Sequence, residues 1–173
     1  MREEVALGKR AAVLASAVAV LALTVSLIAP AASDQRYDRV NFTVRDKASD
    51  DEQNNIDIDV GEQGFGVGDY FVLSKDPFFD RSLSKRLGYF TGDCLFVSVN
   101  EETFEATIEC DVTVNFRNGS TITVEGPVTF TESAQAQTTF AVTGGTGRYE
   151  TAHGEVHATF AEEGGTFRFR LLI

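Results

Sequence analysis

The chain has 173 residues, 26 of them acidic and 15 basic, for a formal net charge of −11. That length suits one domain with a sizeable core, and the acidity excludes the basic footprint by which nucleic acid or an anionic membrane surface is recognised. With two histidines and no serine in a nucleophile-elbow setting, an ordinary hydrolase triad has nothing to be built from.

Residues 1–31 read as an export segment. Arg2, Lys9 and Arg10 precede the uncharged run 11–32, which contains Ala29-Pro30-Ala31, a small-x-small pattern of the kind signal peptidase cleaves. The alternative is an uncleaved membrane anchor over residues 11–28, because the run approaches spanning length. Either reading leaves residues 32–173 as the domain, secreted or otherwise outside the cytoplasm, with 11–28 as its sole link to a membrane.

Within that domain, Val40, Phe42 and Val44 alternate with polar residues and predict a first strand. Residues 46–55, with Asp46, Asp50, Asp51 and Glu52, read as a solvated loop, since their order is not that of a calcium loop. Ile56, Ile58 and Val60 suggest a short extension of the sheet before the glycine-spaced segment 61–68. Residues 70–73 predict a second strand, ended by Asp76-Pro77, and residues 87–99 a third.

The fourth strand has the clearest pattern. From Phe104 to Phe116 every even position is apolar and every odd one polar, giving one dry face and one wet. Asn118-Gly119 then turns the chain into Ile122, Val124, Val128 and Phe130. Both dry faces fall on even numbers, so opposed residues have an even sum, which a two-residue loop cannot give. The turn is therefore a three-residue loop or carries a bulge, with Gly119 in the left-handed region. Phe140 and Val142, then Val156, Ala158 and Phe160, then Phe167, Phe169, Leu171 and Ile173 supply three more strands. About eight short-linked strands, each burying one face, predict an all-β protein: a closed eight-stranded antiparallel β-barrel of calycin-like type, with a sandwich as the alternative.

Cys94 and Cys110 are centred on residue 102, so a symmetric hairpin sets them face to face. In an exported domain this favours a disulfide, and two buried thiols are the alternative. His153 and His157 would share one face of a helix, but on a strand four residues span about 13 Å and cannot grip one ion. No metal site follows. Gly144-Gly145-Thr146-Gly147 lacks the lysine and the helix of a phosphate cradle and reads as a turn. Asn41-Phe42-Thr43 and Asn118-Gly119-Ser120 match the glycosylation sequon, which has meaning only in a eukaryotic secretory pathway.

Several short pieces fall in a telling order: Gly68-Asp69, Lys85-Arg86-Leu87-Gly88, Gly92-Asp93-Cys94, Phe104-Glu105-Ala106-Thr107 and Val124-Glu125-Gly126-Pro127. Val142-Thr143-Gly144-Gly145-Thr146-Gly147-Arg148-Tyr149-Glu150 and Gly154-Glu155-Val156 close the series. Together, residues 68–160 resemble the allene oxide cyclase and dirigent barrel superfamily. The resemblance implies an eight-stranded barrel with an apolar lumen, homotrimeric and needing no cofactor, that acts by shaping a bound reactive molecule.

On the cyclase pattern, Asn41 stands where a first-strand carboxylate is expected, and Thr43 stands for its neighbouring asparagine. Cys94 matches the cavity cysteine, and Glu150 matches the glutamate after the turn. The dirigent arginines after that turn are replaced by Glu150 and His153. Asp69, Asp76 and Tyr149 complete the cavity candidates. A Cys94 tied to Cys110 could not serve as a thiol.

The expected function is an exported barrel that binds an apolar small molecule in its lumen, as a non-catalytic binding protein or dirigent-like scaffold. The alternative is a cofactor-free cyclase or isomerase acting on an unsaturated lipid or polyketide-like substrate. Both need an open lumen, so Phe104, Ile108, Val112, Phe140, Val142 and Phe160 must not fill it.

Overall fold

The structure, a computed structural model, describes residues 37–48, 54–61, 66–131 and 135–173. The export segment 1–31, whether cleaved or an anchor, lies outside the described residues, as do Asp50, Asp51 and Glu52. No helix among the described residues is long and apolar enough to cross a membrane.

The strands are β1 (Arg39–Arg45), β2 (Asn55–Ile58), β3 (Tyr70–Asp80), β4 (Arg86–Asn100), β5 (Glu105–Phe116), β6 (Thr121–Phe130), β7 (Ala136–Thr146), β8 (His153–Ala161) and β9 (Gly164–Leu172). They form one antiparallel sheet in the order β1-β9-β8-β7-β6-β5-β4-β3-β2, and β1 also pairs with β3. That extra pairing closes eight strands into a barrel and leaves β2 as an addition on β3. Closure removes the exposed edges that an open sheet would present.

The closing seam is short. Only Val44 opposite Asp80 and Arg45 opposite Phe79 join β1 to β3. β2 takes the same edge of β3 further along, from Asn55 opposite Leu73 to Ile58 opposite Tyr70. Among the described residues, 74–78 thus have no ladder partner on that side. Pro77, which has no N–H to donate, sits within this stretch, where a strand tolerates proline. The strand expected to end at Asp76-Pro77 therefore runs on to Asp80.

The β5–β6 turn is the three-residue loop that the parity of the dry faces required. Phe116 N–H donates to Ser120 O at 3.0 Å, and Gly119 lies at φ +85°. The β4–β5 hairpin departs from symmetry in one place. Its register is even from Gly88 opposite Phe116 to Phe96 opposite Ile108, then slips by one, with Ser98 opposite Thr107. This bulge at Val97 shortens the ladder at its tip. Phe104, expected to open the dry face of the fourth strand, instead occupies the turn at φ +51° and is 69% exposed.

One end of the barrel is filled by rings. Phe116 lies 5.1 Å from Tyr149 and 5.5 Å from Phe78, and Phe42 stacks on Phe169 at 4.5 Å. The turns after β3, β5 and β7 belong to this end, since Gly88 pairs with Phe116 and Thr121 with Thr146.

Candidate functional site

Toward the other end the lumen stays open. A cavity of about 300 Å³ reaches Phe130 at the end of β6, Ala161 at the end of β8 and Gly164 at the start of β9. This lies at the lower limit of small-molecule sites. Ile108, Val112, Phe140 and Phe160 line the space without filling it, and neither Phe104 nor Val142 is part of its wall. Among the described residues, the wall carries three polar side chains, Asp46, Asn55 and Asp76, beside the disulfide, apolar side chains and two glycines.

Asp76 owes its direction to a bulge. Phe71 and Leu73 oppose Cys94 and Gly92, and after the register shift Asp76 opposes Phe90 and Phe78 opposes Gly88. The inserted residue is Lys75, at φ +64°. One extra residue moves the inward set from odd to even numbers. A regular strand of this sequence would turn Lys75 inward and Asp76 out. As built, Asp76 is 3% exposed.

Asp46 and Asn55 flank the unpaired stretch of β3. Asp46, expected in a solvated loop, is 5% exposed because it follows directly on β1 and clamps the start of β9. Its carboxylate accepts the Gly165 N–H, and its own N–H donates to Gly165 O at 3.3 Å. Asn55 opens β2 opposite Leu73, and its Oδ1 is buried without a hydrogen-bond partner among the described residues.

Cys94 and Cys110 are directly opposed and joined in a disulfide, with Cα atoms 4.1 Å apart. Both line the cavity. The bond withdraws the Cys94 thiol from any chemistry.

The remaining sequence candidates lie elsewhere. Asn41 is exposed on the outer wall opposite Arg170, because Phe42 and Val44 take the inward positions of β1. Asp69 is buried but committed: its carboxylate accepts from Val60 N at 2.8 Å and Gly66 N at 2.7 Å, fixing the chain ahead of β3.

Tyr149 and Glu150 belong to the ring-filled end. Gly147, at φ +60°, opens the 3-10 turn Gly147–Tyr149, and a Cβ there would stand 2.8 Å from Ser120 Oγ. The turn drives Tyr149 into the aromatic cluster. Burial raises its phenol pKa, and Arg148 opposes the rise. Glu150 is exposed, and neither residue borders the cavity.

The two histidines have separate partners on the outer wall. His153 packs its ring 4.7 Å from that of Tyr37, and His157 Nε2 lies 2.8 Å from Glu155 Oε1. The His157 hydrogen bond, helped by Arg170, holds the Glu155 carboxyl below its ordinary range despite some desolvation. Among the described residues no group of three His, Cys, Asp or Glu side chains is placed to hold a metal ion.

The chain is similar to a solved pyocyanin demethylase, with a TM-score of 0.57 and 23% identity over 76% of this chain and 99% of that one. It is similar to a pterocarpan synthase dirigent protein, with a TM-score of 0.57 and 18% identity over 80% of this chain and 94% of that one. A nonspecific heme-binding cyclase of neoabyssomicin biosynthesis gives a TM-score of 0.55 at 18% identity, over 99% of this chain and 79% of that one. At these identities the likeness is one of fold. No curated protein matches the chain. Residues 43–173, from within β1 to the C-terminus, match the model of the allene oxide cyclase barrel like domain, and the chain belongs to that family.

Proposed function

We propose that this is an exported barrel that binds an apolar small molecule in its lumen, as a binding protein or dirigent-like scaffold and not as a catalyst. The observation that carries this reading is the cavity of about 300 Å³, whose described lining residues are apolar but for Asp46, Asn55 and Asp76. Extensive apolar wall supplies affinity, and a few polar groups fix orientation. Holding a reactive molecule in one pose can direct its reaction with no protein group taking part. The likeness to a dirigent protein and a cyclase supports such a role for the lumen. The disulfide fits export, since such bonds persist in oxidising compartments. A homotrimer, and attachment through residues 11–28 where these stay uncleaved, belong to the same reading.

A cyclase or isomerase reading, for an unsaturated lipid or polyketide-like substrate, is favoured by one group, Asp76. It is the sequence-predicted carboxylate that borders the lumen.

The test is ligand retention. Native mass spectrometry of protein purified from its own host is expected to show a lipophilic adduct. Stripped protein is expected to bind the neutral dye Nile red with a blue-shifted emission. Val124→Phe, which fills the lumen, should abolish both. Wild-type protein that carries no adduct and leaves Nile red unshifted would overturn the reading.

A further inference from the structure

The net charge of −11 is an average, and the outer wall beside the closing seam departs from it. Val44 is buried on the inner face of β1, so Thr43 and Arg45 face outward. On β9 the buried Phe169 and Leu171 turn Thr166 and Arg168 outward in the same way. The register sets Thr43 opposite Arg168 and Arg45 opposite Thr166. The seam that puts Val44 opposite Asp80 brings up Arg81, the next residue in the chain. These two threonines and three arginines line one groove. Lys47 lies beside it, with its ammonium 4.3 Å from the centre of the ring of Phe79, the residue paired with Arg45.

Among the described residues, Arg45, Arg81 and Arg168 form no ion pair. Glu155, outward on the neighbouring β8, is bonded to His157 Nε2 at 2.8 Å and to Arg170 Nη1 at 3.4 Å. The Asp80 oxygens accept from Ser82, Ser84 and Lys85. Arg45 Nε is buried and meets no acceptor among the described residues. A guanidinium stays charged at any physiological pH, and like charges on adjacent strands oppose folding. The groove therefore costs the fold something and offers many donors to no acceptor. We propose that it binds a phosphate group. Guanidiniums hold phosphate oxygens in a planar fork, and the Thr43 and Thr166 hydroxyls supply further donors. Acidic residues beyond a Debye length, about 8–10 Å, are screened and do not forbid such a guest. The groove lies on the opposite face of the wall from the lumen, so this site stands or falls apart from the lumen's own ligand.

The experiment is titration of the protein with inorganic phosphate and with acetate at matched ionic strength, followed by backbone amide shifts. Phosphate is expected to half-saturate at a concentration at least about tenfold below acetate, with the amides of Thr43, Thr166 and Arg168 moving. Arg81→Gln and Arg168→Gln should each raise that concentration by about fivefold or more. Arg117→Gln, which removes the same charge from the turn between β5 and β6, should leave it within about twofold. In phosphate-free buffer Arg168→Gln should unfold no earlier than wild type, since it relieves repulsion. Vesicles of phosphatidylcholine with and without phosphatidic acid separate the two sources of the group. Sedimentation of wild type, but not of Arg168→Gln, with the phosphatidic acid vesicles alone assigns it to a lipid head group; no sedimentation assigns it to a soluble ester. Phosphate binding no tighter than acetate would overturn the proposal, and that comparison needs only the wild-type protein. Arg117→Gln weakening phosphate as much as Arg168→Gln does would overturn it equally, by showing a general charge effect.

Discussion

Cys94 stands directly opposite Cys110 across the β4–β5 ladder, and the bond between them stitches the wall at the cavity's surface. The link closes a sequence separation of 16 residues. Loops of that size cost the unfolded chain entropy worth about 3 kcal/mol. Cys94→Ala with Cys110→Ala is therefore expected to lower unfolding free energy by roughly that amount in a denaturant titration. Thiol titration of the unreduced protein in denaturant should find no free thiol, and two would dismiss the bond.

The bulge at Lys75 makes a second prediction. A non-glycine residue in the left-handed region costs about 1–2 kcal/mol, and Lys75 sits there at φ +64° with its side chain exposed. Glycine removes that strain but loses more chain freedom on folding, about 0.5–1 kcal/mol. Lys75→Gly should stabilise the protein by about 0.5 kcal/mol, read as a higher denaturation midpoint at unchanged slope. A clear loss of stability would mean that the side chain is needed where it is.

Two glycine turns should differ in their tolerance of alanine. At Gly119, φ +85°, an added Cβ meets no atom within 4 Å, so the cost is backbone strain of about 1 kcal/mol. At Gly147 the Cβ would press on Ser120 Oγ, which is buried and accepts the Arg148 N–H at 3.2 Å. Gly147→Ala should cost at least about 1 kcal/mol more than Gly119→Ala. Equal midpoints for the two variants would show that Ser120 yields freely.

Asp80 predicts an acid sensitivity. Desolvation alone would raise its pKa, but hydrogen bonds from Lys85 N, Ser84 N and the hydroxyls of Ser82 and Ser84 outweigh it and hold the carboxyl below the ordinary 3.8. A depressed folded pKa gives stability that is present above the unfolded value and lost as pH falls through the folded one. Asp80→Asn should be less stable than wild type near neutral pH, and the difference should fade below 3.8. Carbon-detected NMR would check the carboxyl directly, and a midpoint at or above 3.8 would contradict the geometry.

What could be read from the chain depended on how regular each strand is. β5 buries one face along its whole length without interruption, so its period of two stands out from Ala106 to Phe116. β3 does not. Its inward residues are Phe71 and Leu73, then Asp76 and Phe78, and the change of parity at Lys75 erases the alternation. Asp76-Pro77 therefore looked like a stop, and a single skipped residue at 75 would have restored the pattern. Phe104 misled for a related reason: the bulge at Val97 has no signature in a run as mixed as Phe96-Val97-Ser98-Val99. Asp46 was hidden by its neighbours, because a charge run reads as solvated while burial is decided by Gly165, 119 residues away. Asn41 is the opposite case. The dry set Val40, Phe42 and Val44 already assigns it to the wet face, and matching it to a cavity position set position in a motif above the strand's own geometry.

The seam between β1 and β3 makes the barrel's strength uneven around its circumference. Nine residue pairs fasten β8 to β9, and two fasten β1 to β3. Parting the wall there breaks the fewest ladder hydrogen bonds, so local opening is cheapest along that line. Asp46 and Asp76 border it. The wall is a sleeve with one short fastening, and amide hydrogen exchange is expected to run faster along that line than along the β8–β9 ladder.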